Sequence, residues 1–178
     1  YGPALDRCGY IMVENGGGAH YHVNMLGNLT DPWREAAEWN SFAPHTPKLI
    51  LVRSTNLLGY APQDRHVMER TTEMIVRHFH VIRCFDFLNH IENMEPLARI
   101  VLRHERRIFA PAISFSWAEG FDAEHYCGVL EEVITMVASI LGSSREDAAR
   151  EIILVIKDMA GVAPPRFVRE VVTLFKGR

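Results

Sequence analysis

The chain has 178 residues, of which 48% are apolar and 23% are charged. This composition is typical of one globular domain with enough apolar material for a core, and it excludes a disordered chain. The net charge of −3 and the isoelectric point near 6.3, with basic residues scattered among acids, argue against nucleic acid as a partner.

Cysteine usage and hydropathy predict an intracellular protein without a membrane span. Cys8, Cys84 and Cys127 are odd in number and lack metal-type spacing, which favours free thiols in a reducing compartment. No apolar run reaches the roughly 20 residues that a membrane-spanning helix needs, and the first residues show no signal-peptide pattern. Because the sequence lacks an initiator Met, we expect a fragment of a longer protein.

Five short apolar runs alternate with helical patterns along the chain. The predicted strands are Tyr10–Val13, Lys48–Val52, His80–Phe85, Ile108–Ser116 and Ile152–Ile156. The predicted helices are Pro32–Phe42, which Asp31 caps, then Arg65–Phe79, Ile91–Arg103, Asp122–Leu141, a short turn that opens at Ser143–Glu146, and Phe167–Phe175. Such alternation predicts parallel βαβ units, in either a doubly wound sheet or a barrel.

The polar residues that follow the strands favour the barrel. Glu14, Arg53, Asp86, Ser116 and Lys157 all lie at or just beyond the carboxyl ends of successive predicted strands. In barrels that edge carries the active site. The chain has no GxGxxG turn of the kind that opens a dinucleotide-binding domain.

Lys157 is the most informative of these residues. It directly follows an apolar strand, where desolvation disfavours a charged amine and lowers its pKa. Such an amine could act as a base, a Schiff-base former or a carbamate. The alternative is a buried ion pair between Lys157 and Asp86 or Glu14, and the spacing alone does not decide between the two.

The glycine triplet Gly16–Gly18 and two histidine pairs carry weaker signals. The triplet precedes no predicted helix, so we interpret it as a tight, bulged strand end rather than a phosphate loop. His20 with His22 and His78 with His80 would place two imidazoles on one face of an extended segment, as in some metal sites. The chain contains nine histidines, so chance pairs are the simpler interpretation.

Several motifs nevertheless form a familiar set, in collinear order over nearly the whole chain. They are Pro3-Ala4-Leu5-Asp6, Gly17-Gly18-Ala19, Asp31-Pro32-Trp33, Arg53 with Asn56, Gly59-Tyr60, Phe85-Asp86-x-Leu88-Asn89, Ala112-Ile113-Ser114 and Ile156-Lys157-Asp158-Met159-Ala160-Gly161. This set resembles the carboxyltransferase domain of pyruvate carboxylase, the oxaloacetate decarboxylase α subunit and the transcarboxylase central subunit. The resemblance implies an α/β fold of the TIM-type (β/α)8 barrel class, present in part as strands two to six with their helices, so that residues 1–178 belong to one domain and strands one, seven and eight lie outside them.

The resemblance also implies a chemistry. Carboxybiotin, carried by another domain or subunit, would exchange CO2 with the enolate of a short 2-oxo acid such as pyruvate. A divalent metal, Zn, Mn or Co, would be held partly by Lys157 as a carbamate, because CO2 adds to a neutral amine and yields an anionic oxygen ligand. Arg53 would bind the substrate carboxylate, for which its planar donors are suited.

The remaining implied roles concern the pocket and the protein as a whole. With Arg53 and Lys157, Asp86 completes the expected catalytic set, and Asn56, Asn89 and His22 are the further substrate-binding candidates. We expect a homo-oligomer that works with a biotin-carrier domain or subunit, in the cytoplasm or the mitochondrial matrix.

The chain also departs from the family pattern. Gly16 replaces a Trp, His22 an Asp, Ser54-Thr55 a Gly-Gln pair and Phe121 a His, while the metal-binding Asp of the first strand and the His-x-His of the seventh have no counterpart. Two alternatives therefore stay open. One is a barrel that has lost its chemistry and serves as a scaffold or subunit-binding module, and the other is a metal-dependent aldol or Claisen lyase without biotin.

Overall fold

The sheet of this protein contains five parallel strands that follow one another in space as they do in sequence. The computed structural model describes residues 1–177, and its strands are β1 (Val13–Gly17), β2 (Lys48–Arg53), β3 (Val81–Asp86), β4 (Ile108–Ser114) and β5 (Val155–Lys157). A doubly wound sheet reverses its strand order at a switch point, whereas a barrel keeps adding the next strand on the same side. The unbroken order is therefore that of a partial barrel, as predicted.

Helices connect the strands. They are α1 (Gly2–Arg7), α2 (His20–Gly27), α3 (Pro32–Phe42), α4 (Arg65–His78), α5 (Glu95–Val101), α6 (Ala123–Leu141), α7 (Arg145–Arg150) and α8 (Pro165–Lys176), with a 3₁₀ turn, Ile91–Asn93, ahead of α5. The side chains of Asp31, Asp64, Asp122 and Ser144 accept backbone N–H groups at the starts of α3, α4, α6 and α7. No helix among residues 1–177 has the length and apolar character needed to cross a membrane.

The two faces of the sheet bury different residues because side chains alternate along a strand. The face toward the helices carries the main core, in which Ile50, Val52 and Ile82 are fully buried. The other face, called the inner face below, carries a small cluster that includes Leu49 and Val81. By the same alternation, the side chains at the ends of β2, β3, β4 and β5 that lie on the inner face are Arg53, Phe85, Ser114 and Lys157.

Two strands, β1 and β5, each begin three residues later than predicted. β1 begins at Val13, where Tyr10–Val13 was predicted to end, because its partner β2 begins only at Lys48 and leaves Ile11 exposed. Ile152–Ile156 was the most strand-like run, yet β5 is only Val155–Lys157, with one isolated bridge from Ile152 to Phe109. Lys157 is therefore the last residue of β5 and does not follow the strand. Within the described residues, β5 pairs with β4 on one side alone.

The prediction that no helix follows the glycine triplet was wrong. The bulge is confirmed, because the register of β1 and β2 shifts between Glu14 and Gly17 and Gly16 has a φ of +79°. However, α2 begins at His20, and the residue before it, Ala19, makes no side-chain capping hydrogen bond. Without a cap or Pro, the sequence carries no start signal for this helix.

The three cysteines are free thiols, as predicted. Cys8 is exposed, while Cys84 and Cys127 are buried. Burial, and then the nearby Asp86 carboxyl, raise the pKa of the Cys84 thiol, which keeps it protonated and unreactive at neutral pH.

Candidate functional site

The carboxyl ends of the strands bring the predicted residues to one edge of the sheet. Arg53, Asp86 and Lys157 are the last residues of β2, β3 and β5, and parallel strands place these ends at the same edge. Glu14 does not belong to this edge, since it is the second residue of β1 and its Oε2 accepts Arg83 Nη1 at 3.1 Å. Its prediction as an end-of-strand residue was therefore wrong.

Ser116 lies beyond the end of β4, as predicted. It is exposed, and its backbone N–H and C=O are both bonded to the hydroxyl of Tyr126 at 2.9 Å. These two hydrogen bonds fix the loop between β4 and α6.

Arg53 is half-buried and presents donors at this edge. Its Nη1 donates to the carbonyl oxygen of Gly59 at 3.1 Å, and its Cζ lies 5.4 Å from the centre of the Tyr60 ring. A Cβ added at Gly18 would lie 3.2 Å from Nη1, so the glycine leaves room for the guanidinium. No other hydrogen bond joins the guanidinium to residues 1–177, which leaves its remaining N–H groups free for an anionic ligand.

The Asp86 carboxylate is buried, and both of its oxygens are occupied. Oδ2 accepts Ser54 Oγ at 2.7 Å and Asn93 Nδ2 at 2.9 Å, while Oδ1 accepts the backbone N–H groups of Leu88 at 3.0 Å and His90 at 3.2 Å. Burial alone raises the pKa of Asp86, but the bonds from Asn93, Ser54, His90 and Leu88 together lower it below the ordinary value. The group is therefore a fixed anion.

Asn89 is held by the neighbouring strand. Its Nδ2 donates to the carbonyl oxygen of Ser114 at 2.9 Å, and its Oδ1 accepts the Ser114 N–H at 2.8 Å. Its φ of +58° lies in the left-handed region, which Asn tolerates better than most residues. The side chain is thus engaged with β4, and its predicted contact with a substrate stays a prediction.

Lys157 is half-buried, and its Nζ lies 4.9 Å from the centre of the Phe85 ring. Within residues 1–177 it forms no ion pair, and the carboxylates of Asp86 and Glu14 are bonded to other groups. The alternative of a buried ion pair with either acid was therefore wrong. The described residues leave the Lys157 amine on the inner face with an aromatic ring as its neighbour.

His22 and Asn56 open onto adjacent cavities. Arg53, Asn56 and Asp86 line a cavity of about 290 Å³. Asn56 also lines a second cavity, of about 210 Å³, together with His22, which belongs to α2, and Gln63. Arg53, Asn56 and Asp86 thus line one cavity. His22 lines the adjacent cavity, and Asn56 lines both. Neither cavity is lined by Lys157.

The histidine pairs do not form a metal site. His20 and His22 lie in a helix, not in the extended segment expected, while His78 ends α4 and His80 accepts the Lys48 N–H through its Nδ1 at 3.1 Å. In residues 1–177 no group of three or more His, Cys, Asp and Glu side chains is placed to hold a metal ion. A carbamate on Lys157 would supply one ligand, and the described residues do not complete the set, so the predicted Zn, Mn or Co ion stays a prediction.

Sequence reasoning missed the residues that support this edge. Ser54, Asn93 and Phe85 contact Asp86 or Lys157 directly, yet none of them has a chemically active side chain at neutral pH. Phe85 could have been found from the predicted barrel alone, because it ends the predicted strand His80–Phe85 and alternation along the strand places it on the inner face. The partner of Ser54 depends on the folded loop and has no signal in the sequence.

The fold and the strand ends define the chain as part of a (β/α)-barrel with its candidate site at the carboxyl edge. No protein-family model matches the chain. A pyruvate carboxylase subunit of Methanothermobacter thermautotrophicus is 30% identical over 176 residues, which are 97% of this chain and 28% of that protein. The methylmalonyl-CoA carboxyltransferase 5S subunit of Propionibacterium freudenreichii is 24% identical over 97% of this chain and 32% of its own length.

A solved structure shows the same fold. The crystal structure of the complete multifunctional pyruvate carboxylase from Rhizobium etli matches 99% of this chain and 17% of that protein, with a TM-score of 0.81 and 23% identity. The chain spans less than a third of the length of each of these relatives. It belongs, as a partial and divergent member, to the biotin-dependent carboxyltransferase family of the pyruvate carboxylases.

Proposed function

We propose that this chain forms part of the site at which a carboxyl group moves between carboxybiotin and a short 2-oxo acid, of the pyruvate and oxaloacetate type. The similarity to a pyruvate carboxylase subunit over 97% of the chain is the observation that carries this proposal. The biotin would be carried by another domain or subunit. A homo-oligomeric state and a location in the cytoplasm or the mitochondrial matrix are parts of the same proposal.

Arg53 is the proposed anchor of the substrate. It is a cation at the carboxyl edge of the sheet, and only its Nη1 is bonded within the described residues. A guanidinium with free donors binds a carboxylate in bidentate fashion and orients the attached 2-oxo group. Asn56 in the same cavity and His22 in the adjacent one are the proposed polar contacts for the rest of the substrate.

Lys157 is the proposed carbamate and metal ligand. Carbamate formation joins the neutral amine nitrogen to the carbon of CO2 and releases a proton from nitrogen. The absence of an ion-pair partner within residues 1–177 supports this role, because no carboxylate there occupies the amine. The metal would need further ligands from outside the described residues.

We further propose that residues 1–178 are part of a single barrel whose first, seventh and eighth strands lie outside them. Two features of the described residues support this arrangement. Each of β1 and β5 pairs with one neighbour only, and inner-face residues such as Leu51 and Val155 are only half-buried. Further strands would pair both edges and cover that face.

A second candidate function is a barrel without chemistry that serves as a scaffold or subunit-binding module. The replacement of a family Asp by His22, which has no negative charge, favours it. The lyase alternative shares the enolate chemistry and differs in needing no biotin.

One assay separates the three candidates. Oxaloacetate decarboxylation by the complete purified protein is measured with and without biotin or its carrier domain, and any carbamate on Lys157 is trapped by alkylation and located by peptide mass spectrometry. Biotin-dependent turnover with a carbamate on Lys157 supports carboxyl transfer. Cleavage of 2-oxo acids without biotin supports the lyase, and a folded protein without any turnover supports the scaffold.

A further inference from the structure

The loop after β3 is tied to its surroundings by a set of hydrogen bonds at the carboxyl edge, called the rim lock here. Its members are Ser54, Asp86, Asn89, Asn93 and Ser114. The Asp86 carboxylate is its centre, because four donors from two segments of the chain, Ser54 and residues 88–93, converge on two oxygens. A carboxylate in this setting has no oxygen left for a substrate proton unless the loop opens.

The rim lock reaches Arg53 through Ser54, the next residue. The N–H of Ser54 donates to the carbonyl oxygen of Phe85 at 2.9 Å, and its Oγ donates to Asp86 at 2.7 Å. Ser54 is buried and stands where the family pattern has glycine, which has no side chain to make this hydrogen bond. The end of β2 is thereby held against the end of β3, which fixes the backbone from which the Arg53 side chain extends.

The rim lock reaches Lys157 through Asn89 and Ser114. Ser114 Oγ donates to the carbonyl oxygen of Asp86 at 2.9 Å, and both backbone groups of Ser114 are bonded to the Asn89 amide. Ser114 is the register partner of Lys157, and the next N–H, that of Phe115, donates to the Lys157 carbonyl oxygen at 2.9 Å. The ends of β3, β4 and β5 are therefore linked in series.

We propose that the rim lock is a positioning unit that sets Arg53 and Lys157 relative to one another, with Asp86 as a fixed acceptor and not as a proton carrier. This inference rests on the proposed function for its kinetic consequence. Its structural consequence, cooperative protection of the chain at the ends of β2, β3 and β5, does not depend on that function.

The kinetic test uses the complete protein with substitutions that remove one donor each from Asp86. Ser54→Ala and Asn93→Ala should each lower kcat/KM for biotin-dependent oxaloacetate decarboxylation by about 10- to 100-fold, the effect of misplacing reacting groups by about 1 Å. The pH profile of kcat/KM should keep its shape, because neither variant removes a titrating group of the reaction. Asn40→Ala is the matched control, since Asn40 Nδ2 donates to the His78 carbonyl oxygen at 2.8 Å at the opposite end of the sheet, and it should retain wild-type activity.

Two kinetic results would overturn the proposal. One is activity within twofold of wild type for folded Ser54→Ala and Asn93→Ala. The other is a pH profile that loses or shifts a limb in either variant, because that outcome makes Asp86 the titrating group whose pKa these donors set.

Hydrogen exchange tests the rim lock even if the protein shows no carboxyl transfer. Asn89→Gly removes the amide but keeps the left-handed backbone, which glycine adopts readily. Asn89→Gly and Ser54→Ala, each as a single variant, should speed exchange in residues 53–60, 86–93 and 155–160. Asn40→Ala should leave exchange in these three regions unchanged. Faster exchange confined to residues 86–93 in both variants would show that the strand ends are not coupled, and the proposal would fail independently of the proposed function.

Discussion

Replacing Arg53 by Lys tests the proposed substrate anchor. Because Nη1 is bonded to Gly59, the other guanidinium nitrogens are the ones available for a bidentate carboxylate contact. Lys keeps the positive charge but offers a single ammonium, so one charge-assisted hydrogen bond is lost, worth about 1.5–3 kcal/mol. At about 1.4 kcal/mol per tenfold, KM for the 2-oxo acid should rise roughly 10- to 150-fold.

The assay is steady-state kinetics of the complete protein with oxaloacetate as the varied substrate. Arg65→Lys is the matched control, because Arg65 forms an exposed ion pair with Glu69 on α4 and should leave KM unchanged. An Arg53→Lys variant that loses kcat at an unchanged KM would refute the reasoning, since Arg53 would then contribute only in the transition state and not bind the substrate carboxylate.

Further predictions concern the stability of the fold. Lys48→Met should lower the free energy of unfolding by about 1–3 kcal/mol, measured by urea denaturation. The buried Lys48 Nζ donates to the carbonyl oxygens of Ala43 and Thr46, and both would lose this donor. An unchanged urea midpoint would contradict this prediction. Gly17→Ala should lower the free energy of unfolding by about 1–3 kcal/mol, because the added Cβ would lie 2.8 Å from the Cβ of Leu51. Gly128→Ala, which has open space on α6, should raise it by about 1 kcal/mol. Equal urea midpoints for the two variants would refute this difference. Burial, followed by the charges of Arg107 and Lys48, lowers the pKa of His80, so the unfolded chain binds more protons below about pH 6.5 and the free energy of unfolding should decrease as the pH falls. That decrease should be smaller in His80→Asn, and the same pH dependence in both proteins would show that His80 does not cause it.

The sequence predicted the order and class of the elements well because their signals are local. Capping residues such as Asp31 and Asp122 mark helix starts whatever the tertiary structure, and the structure places both as caps. The strand ends were harder to predict. Where a strand stops depends on its neighbour, so β1 and β5, which each have one neighbour among the described residues, are the two strands whose bounds were displaced most.

The candidate site was predictable only in its outline. Arg53, Asp86 and Lys157 could be assigned to one edge because parallel strands place their carboxyl ends together. The saturation of Asp86 could not be foreseen, since Ser54 and Asn93 reach it from 32 and seven residues away and nothing in either position specifies the contact. Glu14 failed for a related reason, because a bulge carried β1 three residues past it.

The measurement that bears most directly on the proposed function is the rate of biotin-dependent oxaloacetate decarboxylation by the complete protein and by its Lys157→Met variant, assayed side by side. If Lys157 is the carbamate of a carboxyl-transfer site, the wild-type protein turns over only with biotin and Lys157→Met loses at least about 100-fold in kcat, in keeping with the loss of a group that acts in the transition state. A folded Lys157→Met variant as active as the wild type would contradict that role.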